Sequence, residues 1–92
     1  MEIAFNKTGN VWVAEFEATG NFAIHIERAK AGIITMEQTS VQGSQYAPVA
    51  DFPMSHRNHF VIDEVFTGEV FPLYIKVVSE TEPTMAVVTF KA

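Results

Sequence analysis

Apolar and polar residues alternate along most of this chain, and the alternation predicts β-strands. In VWVAEFEA (residues 11–18), for example, every second residue from Trp12 onward is apolar. Side chains two positions apart share one face of a strand, so this period marks strands that are buried on one side. The same reasoning predicts seven strands, at residues 2–6, 11–18, 21–28, 33–39, 58–66, 70–78 and 84–91.

The segments between these strands are rich in Gly, Pro, Asn and Thr, at a spacing typical of an all-β sandwich or barrel. The best candidate for a helix is ERAKAGIITMEQ (residues 27–38). Gly32 lies in its middle, and three β-branched residues follow it, both of which are unfavourable inside a helix. We therefore interpret this segment as a turn that leads into a strand.

The chain has 92 residues, 48% of them hydrophobic, which is enough for one domain with its own core. The predicted fold is all-β: residues 1–92 form a single, small antiparallel β-sandwich of about seven strands. Immunoglobulin-like, jelly-roll-like and barrel arrangements all remain open at this point.

The tripeptide Thr-Gly-Asn occurs twice, at residues 8–10 and 19–21, and the two copies cannot form the same turn. A two-residue turn at Gly9 and Asn10 sets Lys7 opposite Trp12. That register puts five apolar side chains on one face: Ile3, Phe5, Trp12, Ala14 and Phe16.

A two-residue turn at the second copy would set Phe16 opposite His25 and mix apolar with charged positions. The second copy must therefore differ from the first. Either it is a three-residue loop that sets Phe16 opposite Ile24 and Glu15 opposite His25, or the chain crosses between two sheets there.

A third turn, Thr67-Gly68-Glu69, predicts a hairpin that sets Ile62 opposite Ile75. In the strand that follows, Pro72 cannot donate a backbone hydrogen bond, so this strand is expected at a sheet edge or with a bulge. The long segment at residues 40–57 has room for a short edge strand near Val49. It is either a plain crossover or a binding loop.

The charge and the cysteine content of the chain exclude several classes of partner and of binding site. Six Lys and Arg against eleven Asp and Glu give a net charge of -5, which repels phosphate backbones and anionic lipid, so we expect neither nucleic-acid nor membrane binding. Without cysteine, disulfides and thiolate metal sites are excluded. The first residues, MEIAFNKTGN, lack an apolar run of signal-peptide length, so no secretory signal is expected.

Candidate chemistry is sparse. His56 and His59 lie three residues apart, a spacing that puts the two rings on opposite sides of a strand, and His25 is the remaining imidazole. We interpret all three as surface histidines and predict no catalytic residue, no metal site and no cofactor. Catalytic and cofactor-binding motifs are lacking, so the protein is predicted not to be an enzyme.

The outward faces of the predicted strands are less polar than a one-sided sheet requires. The apolar or aromatic residues expected there are Val11, Val13, Val61, Val65, Tyr74 and Val78. Exposed valines are common, but a cluster of them can mark a partner surface. Together with YAPVADFPM (residues 46–54) as a docking arm, they give these candidate partner-binding residues: Tyr46, Phe52, Met54, Val61 and Tyr74.

This short, acidic, cysteine-free all-β chain, with its repeated TGN and TGE turns, resembles the small auxiliary or decoration proteins on tailed-bacteriophage capsids. The resemblance covers the whole chain and transfers no individual functional residue. It implies a non-enzymatic structural protein of the virion that sits on an assembled capsid shell through protein–protein contacts, often as a homo-oligomer.

Two other hypotheses stay open. The first is a carbohydrate-binding or adhesive module, with Trp12 or Tyr74 as the residue that stacks on a sugar. The second is an enzyme or metal protein that uses the histidines, for which stoichiometric zinc binding would be the sign. If the capsid resemblance fails, the lack of a signal peptide and of cysteine favours the cytoplasm.

Overall fold

Most strands of the protein lie close to the predicted positions, but the strand predicted at residues 2–6 is wrong. The first strand runs from Asn6 to Thr8, and before it Glu2 forms only an isolated bridge with Val87. A computed structural model describes residues 1–49, 58–65 and 71–91. Within these ranges the strands are β1 (Asn6–Thr8), β2 (Val11–Ala18), β3 (Phe22–Arg28), β4 (Ile34–Thr39), β5 (Ala47–Pro48), β6 (His59–Val65), β7 (Leu73–Ser79) and β8 (Pro83–Phe90). The segment weighed as a helix is a turn followed by β4, as predicted.

The described strands form two antiparallel sheets that pack face to face. One sheet has five strands in the order β1-β2-β7-β4-β5, and the other has three in the order β6-β3-β8. The predicted all-β sandwich is confirmed. The described residues contain no helix that could cross a membrane.

Alternating residues of both sheets fill the space between them. The central strand of each sheet, β3 in one and β7 in the other, buries every second side chain, beginning with its first residue. The core includes Phe22, Ile24 and Ile26 from β3. From the other sheet it includes Ile34, Met36, Leu73, Ile75 and Val77. This burial is the physical basis of the period-two pattern in the sequence.

The two Thr-Gly-Asn copies adopt different structures. At the first copy, Lys7 pairs with Trp12 across a tight turn, and Gly9 has a φ of 62° in the left-handed region. At the second copy the chain leaves the five-stranded sheet and enters the three-stranded one, because β2 and β3 belong to different sheets. Of the two open alternatives the crossover is correct. The three-residue loop, which would have set His25 opposite Glu15, is not formed.

The predicted hairpin after β6 is also wrong. Ile62 pairs with Ile24 of β3, whereas Ile75 of β7 pairs with Phe16 and Gln38 in the other sheet. The turn residues 67–69 lie outside the described ranges. Alternation alone could not distinguish a hairpin from a change of sheet, because both bury the same side chains.

Three further expectations change with the sheet order. Strand β7 starts at Leu73, after Pro72, and lies between β2 and β4, so it is neither an edge strand nor interrupted by the proline. A register shift in the β3–β6 pairing sets Val65 opposite Phe22, which buries Val65 instead of exposing it. At the N-terminus, the Ile3 amide donates to the Ala86 carbonyl of β8, so the register predicted from the turn at Gly9 and Asn10 does not extend to Ile3.

The short edge strand expected near Val49 is present as β5, at the end of the five-stranded order. The Val49 amide donates to the Met36 carbonyl at 2.9 Å, and the Val49 side chain is buried. Strand β6 belongs to the other sheet, so the long segment contains a crossover. The part of it before β5 lines a surface groove, as described below.

A buried arginine joins the two sheets at one end of the sandwich. Arg28 ends β3 and donates from Nη1 to the hydroxyls of Ser79, at 3.3 Å, and Thr81, at 3.4 Å. Ser79 in turn donates to the Thr81 carbonyl at 2.6 Å. Burial lowers the pKa of Arg28, and the negative charge of Glu80 acts in the opposite direction. The hydroxyls of Ser79 and Thr81 thus accept hydrogen bonds from the Arg28 guanidinium at the end of the hydrophobic core.

Candidate functional site

An open groove crosses the outer face of the five-stranded sheet. Its volume is about 610 Å³, and Tyr46 and Tyr74 both line it. Tyr74 comes from the outward face of β7, and Tyr46 comes from the loop between β4 and β5. The other polar residues of the lining are Glu15, Glu17, Gln42 and Ser44. We call this feature the tyrosine groove.

Charged residues lie in a cross-strand row beside the tyrosine groove. Lys76 of β7 pairs with Glu15 of β2 on one side and with Glu37 of β4 on the other. The Lys76 ammonium lies 4.5 Å from the centroid of the Tyr46 ring, within the range of a cation–π contact. Burial raises the pKa of the Tyr46 phenol, and the negative charges of Glu15 and Glu37 raise it further.

Exposed apolar side chains lie on the outer face of the three-stranded sheet. Val61 of β6 is 55% exposed, and Met85 of β8 is 46% exposed. In the register of this sheet, His25 of β3 stands between Val61 and Val87, and Glu27 stands between His59 and Met85. Two adjacent rows of paired residues therefore run across this sheet. One is Val61, His25 and Val87, and the other is His59, Glu27 and Met85, so each contains both apolar side chains and side chains that can bind a metal ion.

The polar residues of these two rows are close together. The His25 Nε2–H donates to Oε2 of Glu27 at 2.8 Å. The rings of His25 and His59 have centroids 5.2 Å apart and are tilted by 47°. One potential metal-ligating atom from each of His25, Glu27 and His59 lies within 4.8 Å of the other two. We call these three residues the histidine cluster.

The structure divides the predicted partner-binding residues between the two outer faces. Tyr46 and Tyr74 meet in the tyrosine groove. Val61 lies on the other sheet, exposed as predicted. Phe52 and Met54 fall outside the described residues, so the docking arm stays a prediction, and so does the position of His56.

Trp12 was expected in the core, but its side chain is only half-buried. It lies near the start of β2, where the Lys7 ammonium is 5.3 Å from the centroid of the indole ring. Trp12 is not part of the tyrosine groove lining. Of the two sugar-stacking candidates, Tyr74 is the one that lines a groove together with a second half-buried aromatic residue, Tyr46.

The sequence reasoning missed the histidine cluster because its third member comes from another strand. A local signal for two of its members was present, since His25 and Glu27 are two residues apart and therefore share one face of a strand. His59 joins them because β6 pairs with β3 and sets His59 opposite Glu27. That pairing was hidden by the predicted β6–β7 hairpin.

Comparisons with known proteins add no family to this description. No family model, no curated protein and no solved structure matches the chain. The residues of the two outer faces are therefore the features of the molecule that indicate a function.

Proposed function

We propose that this protein is a non-enzymatic accessory component of a larger protein assembly and binds its partner through the tyrosine groove. The observation that carries the proposal is that Tyr46 and Tyr74, distant in sequence, line one open groove on the outer face of a sheet. A rigid scaffold that presents two aromatic side chains in a concavity is well suited to protein recognition.

Tyrosine supports such a contact for a physical reason. Its ring supplies a large apolar area at a small cost in side-chain entropy, and its hydroxyl forms hydrogen bonds at the same time. Tyrosine is accordingly enriched among the few interface residues that contribute most of the binding free energy. The backbone under Tyr74 is held by β2 and β4 on both sides, so little ordering is needed on binding.

Charge indicates the chemistry of the partner. The groove is lined by the carboxylates of Glu15 and Glu17, and the whole chain carries a net charge of -5. Complementary potentials speed association and disfavour partners of the same sign. We therefore assign the groove to a segment of a partner protein that carries Lys or Arg beside apolar residues.

The capsid shell is the partner class that the resemblance to phage decoration proteins implies. An acidic, rigid sandwich with an open groove is compatible with attachment to a basic loop of a shell protein. In this proposal the accessory protein is part of the virion and contributes cohesion or adhesion.

The proposal can be tested with defined peptides. Extended peptides that contain Lys or Arg beside apolar residues should bind the protein, whereas counterparts with Asp or Glu at the basic positions should not. Binding should weaken as salt concentration rises. The double variant Tyr46→Ser/Tyr74→Ser should bind at least about thirtyfold more weakly, the loss expected for hot-spot side chains.

Ile33→Ser is the matched control, because Ile33 is 46% exposed and lies outside the groove. It should leave peptide binding unchanged. Equal binding by the double variant and the control would overturn the proposal. Binding of glycans in place of peptides, lost on Tyr74→Ser, would instead assign the carbohydrate-binding function.

A further inference from the structure

We propose that the histidine cluster is a binding site for a divalent cation of the zinc class, on the outer face of the three-stranded sheet. Its ligands are imidazole nitrogens of His25 and His59 and the carboxylate of Glu27. This site lies on a different sheet from the tyrosine groove and does not depend on the function proposed for that groove.

The backbone fixes the three residues on one face. His25 and Glu27 alternate with the buried Ile24 and Ile26, so both project to the outer side of β3. Strand β3 is paired on both edges, with β6 and with β8. His59 stands directly opposite Glu27, so all three positions are set by the sheet rather than by a flexible loop.

The distances suit a single ion after a small side-chain adjustment. Ligand atoms about 2.0–2.1 Å from a tetrahedral zinc ion lie about 3.3 Å from one another. The described ligand atoms already lie within 4.8 Å of one another, and His25 Nε2 and Glu27 Oε2 are 2.8 Å apart. The side chains of His25 and Glu27 are 35% and 42% exposed, which leaves room for rotation.

The ion would replace the hydrogen bond between His25 and Glu27. A neutral imidazole that carries its proton on Nδ1 presents an unprotonated Nε2 as a ligand. The carboxylate can then contribute an oxygen to the same ion. No other bond has to be broken among the contacts described for these two side chains.

Ligand type determines which ions fit. Two imidazoles and one carboxylate are suited to zinc and neighbouring transition metals, whereas calcium and magnesium prefer sites made mainly of oxygen. Val61, Val87 and Met85 flank the ligands in the same two rows. Three protein ligands leave a coordination position open toward solvent, where water or a side chain from a docked protein can bind.

Calorimetric titration of the 92-residue chain with zinc chloride is the first test. We expect one zinc ion per chain and no comparable heat with magnesium chloride. Cobalt(II) should give the strong visible absorption that is typical of four-coordinate sites. His25→Gln, Glu27→Gln and His59→Gln should each weaken zinc binding by at least about tenfold.

Two matched controls locate the site. Glu64→Gln removes an exposed carboxylate from β6, and His56→Gln removes the histidine that lies close to His59 in sequence. Both should leave zinc affinity unchanged. Loss of binding in His56→Gln with full binding in His25→Gln would overturn the proposal, and so would unchanged affinity in all three ligand variants.

A measurement on the unmodified protein covers the case in which a variant does not fold. Imidazole signals in nuclear magnetic resonance spectra should shift with zinc for His25 and His59. Shifts confined to His56 and His59, or an absence of shifts at saturating zinc, would contradict the site.

Discussion

The ammonium group of Lys76 lies 4.5 Å from the centroid of the Tyr46 ring, and this contact places a loop residue over the outer face of the five-stranded sheet. Glu15 and Glu37 pair with Lys76 from the two neighbouring strands. Burial, followed by the charges of these two carboxylates, raises the pKa of the Tyr46 phenol. The folded structure therefore disfavours ionisation of the Tyr46 phenol.

The free energy of unfolding should fall as pH rises through and above about 10, the ordinary pKa of tyrosine. In that range the unfolded chain loses the phenol proton while the folded chain still holds it, so the unfolded state binds fewer protons and stability decreases. Tyr46→Phe removes this contribution. Urea denaturation between about pH 9 and pH 11 should therefore show a shallower decline for Tyr46→Phe than for the unmodified protein.

The pKa itself can be measured in a Tyr74→Phe background, where Tyr46 is the one remaining tyrosine of the two in the chain. Ultraviolet titration of the phenolate should give a value above that of an exposed tyrosine. Glu37→Gln in the same background should lower it, because one of the negative charges is removed. A value at or below the ordinary one would contradict the described environment of Tyr46.

The two Thr-Gly-Asn copies should respond differently to the same substitution. Gly9 has a left-handed φ of 62°, whereas Gly20 is not in the left-handed region, and a Cβ there would lie 3.5 Å from the Lys91 carbonyl oxygen. Gly9→Ala should cost about 1 kcal/mol, the penalty of that backbone region for a residue with a Cβ. Gly20→Ala should change stability by less than about 0.5 kcal/mol in urea denaturation. Equal costs would show that the two turns are alike.

The two Thr-Gly-Asn turns illustrate how much of the fold can be predicted from the sequence. Strand positions and core residues follow from period-two alternation, which depends only on which side of a strand is buried. Sheet membership does not follow, because a hairpin and a crossover between packed sheets bury the same alternating residues. At residues 8–10 the register was still fixed by the tight turn, which dictates the pairing of Lys7 with Trp12.

The same limit applies to the candidate sites. Val61 and Tyr74 were identifiable as outward strand residues, and Tyr46 as part of the docking arm. The structure brings the two tyrosines into one groove. The histidine cluster needed the pairing of β3 with β6, which joins residues more than thirty positions apart in the chain. Local patterns could identify His25 and Glu27 as neighbours, but not His59 as the third ligand.

Truncation of the central aromatic residue should be the most disruptive single change in the core. Phe22 is fully buried. The centroid of its ring lies 5.3 Å from that of Phe16 and 6.1 Å from that of Phe90, and both pairs are edge-on. Phe22→Ala should lower the free energy of unfolding by about 3–5 kcal/mol, since it removes these contacts and leaves a cavity. Val61→Ala, at an exposed strand position, should cost less than about 0.5 kcal/mol. Thermal and urea denaturation would measure both.

The hydroxyl of Ser79 should contribute more to stability than its size indicates. It is fully buried, accepts a hydrogen bond from Arg28 Nη1 and donates one to the Thr81 carbonyl. Ser79→Ala removes both bonds beside a buried cation, so the free energy of unfolding should fall by about 1–3 kcal/mol. Thr84→Val is the matched control, because the Thr84 hydroxyl donates to the Glu27 carbonyl at an exposed position. A Ser79→Ala cost no larger than that of the control would show that the arginine network does not stabilise the contact between the two sheets.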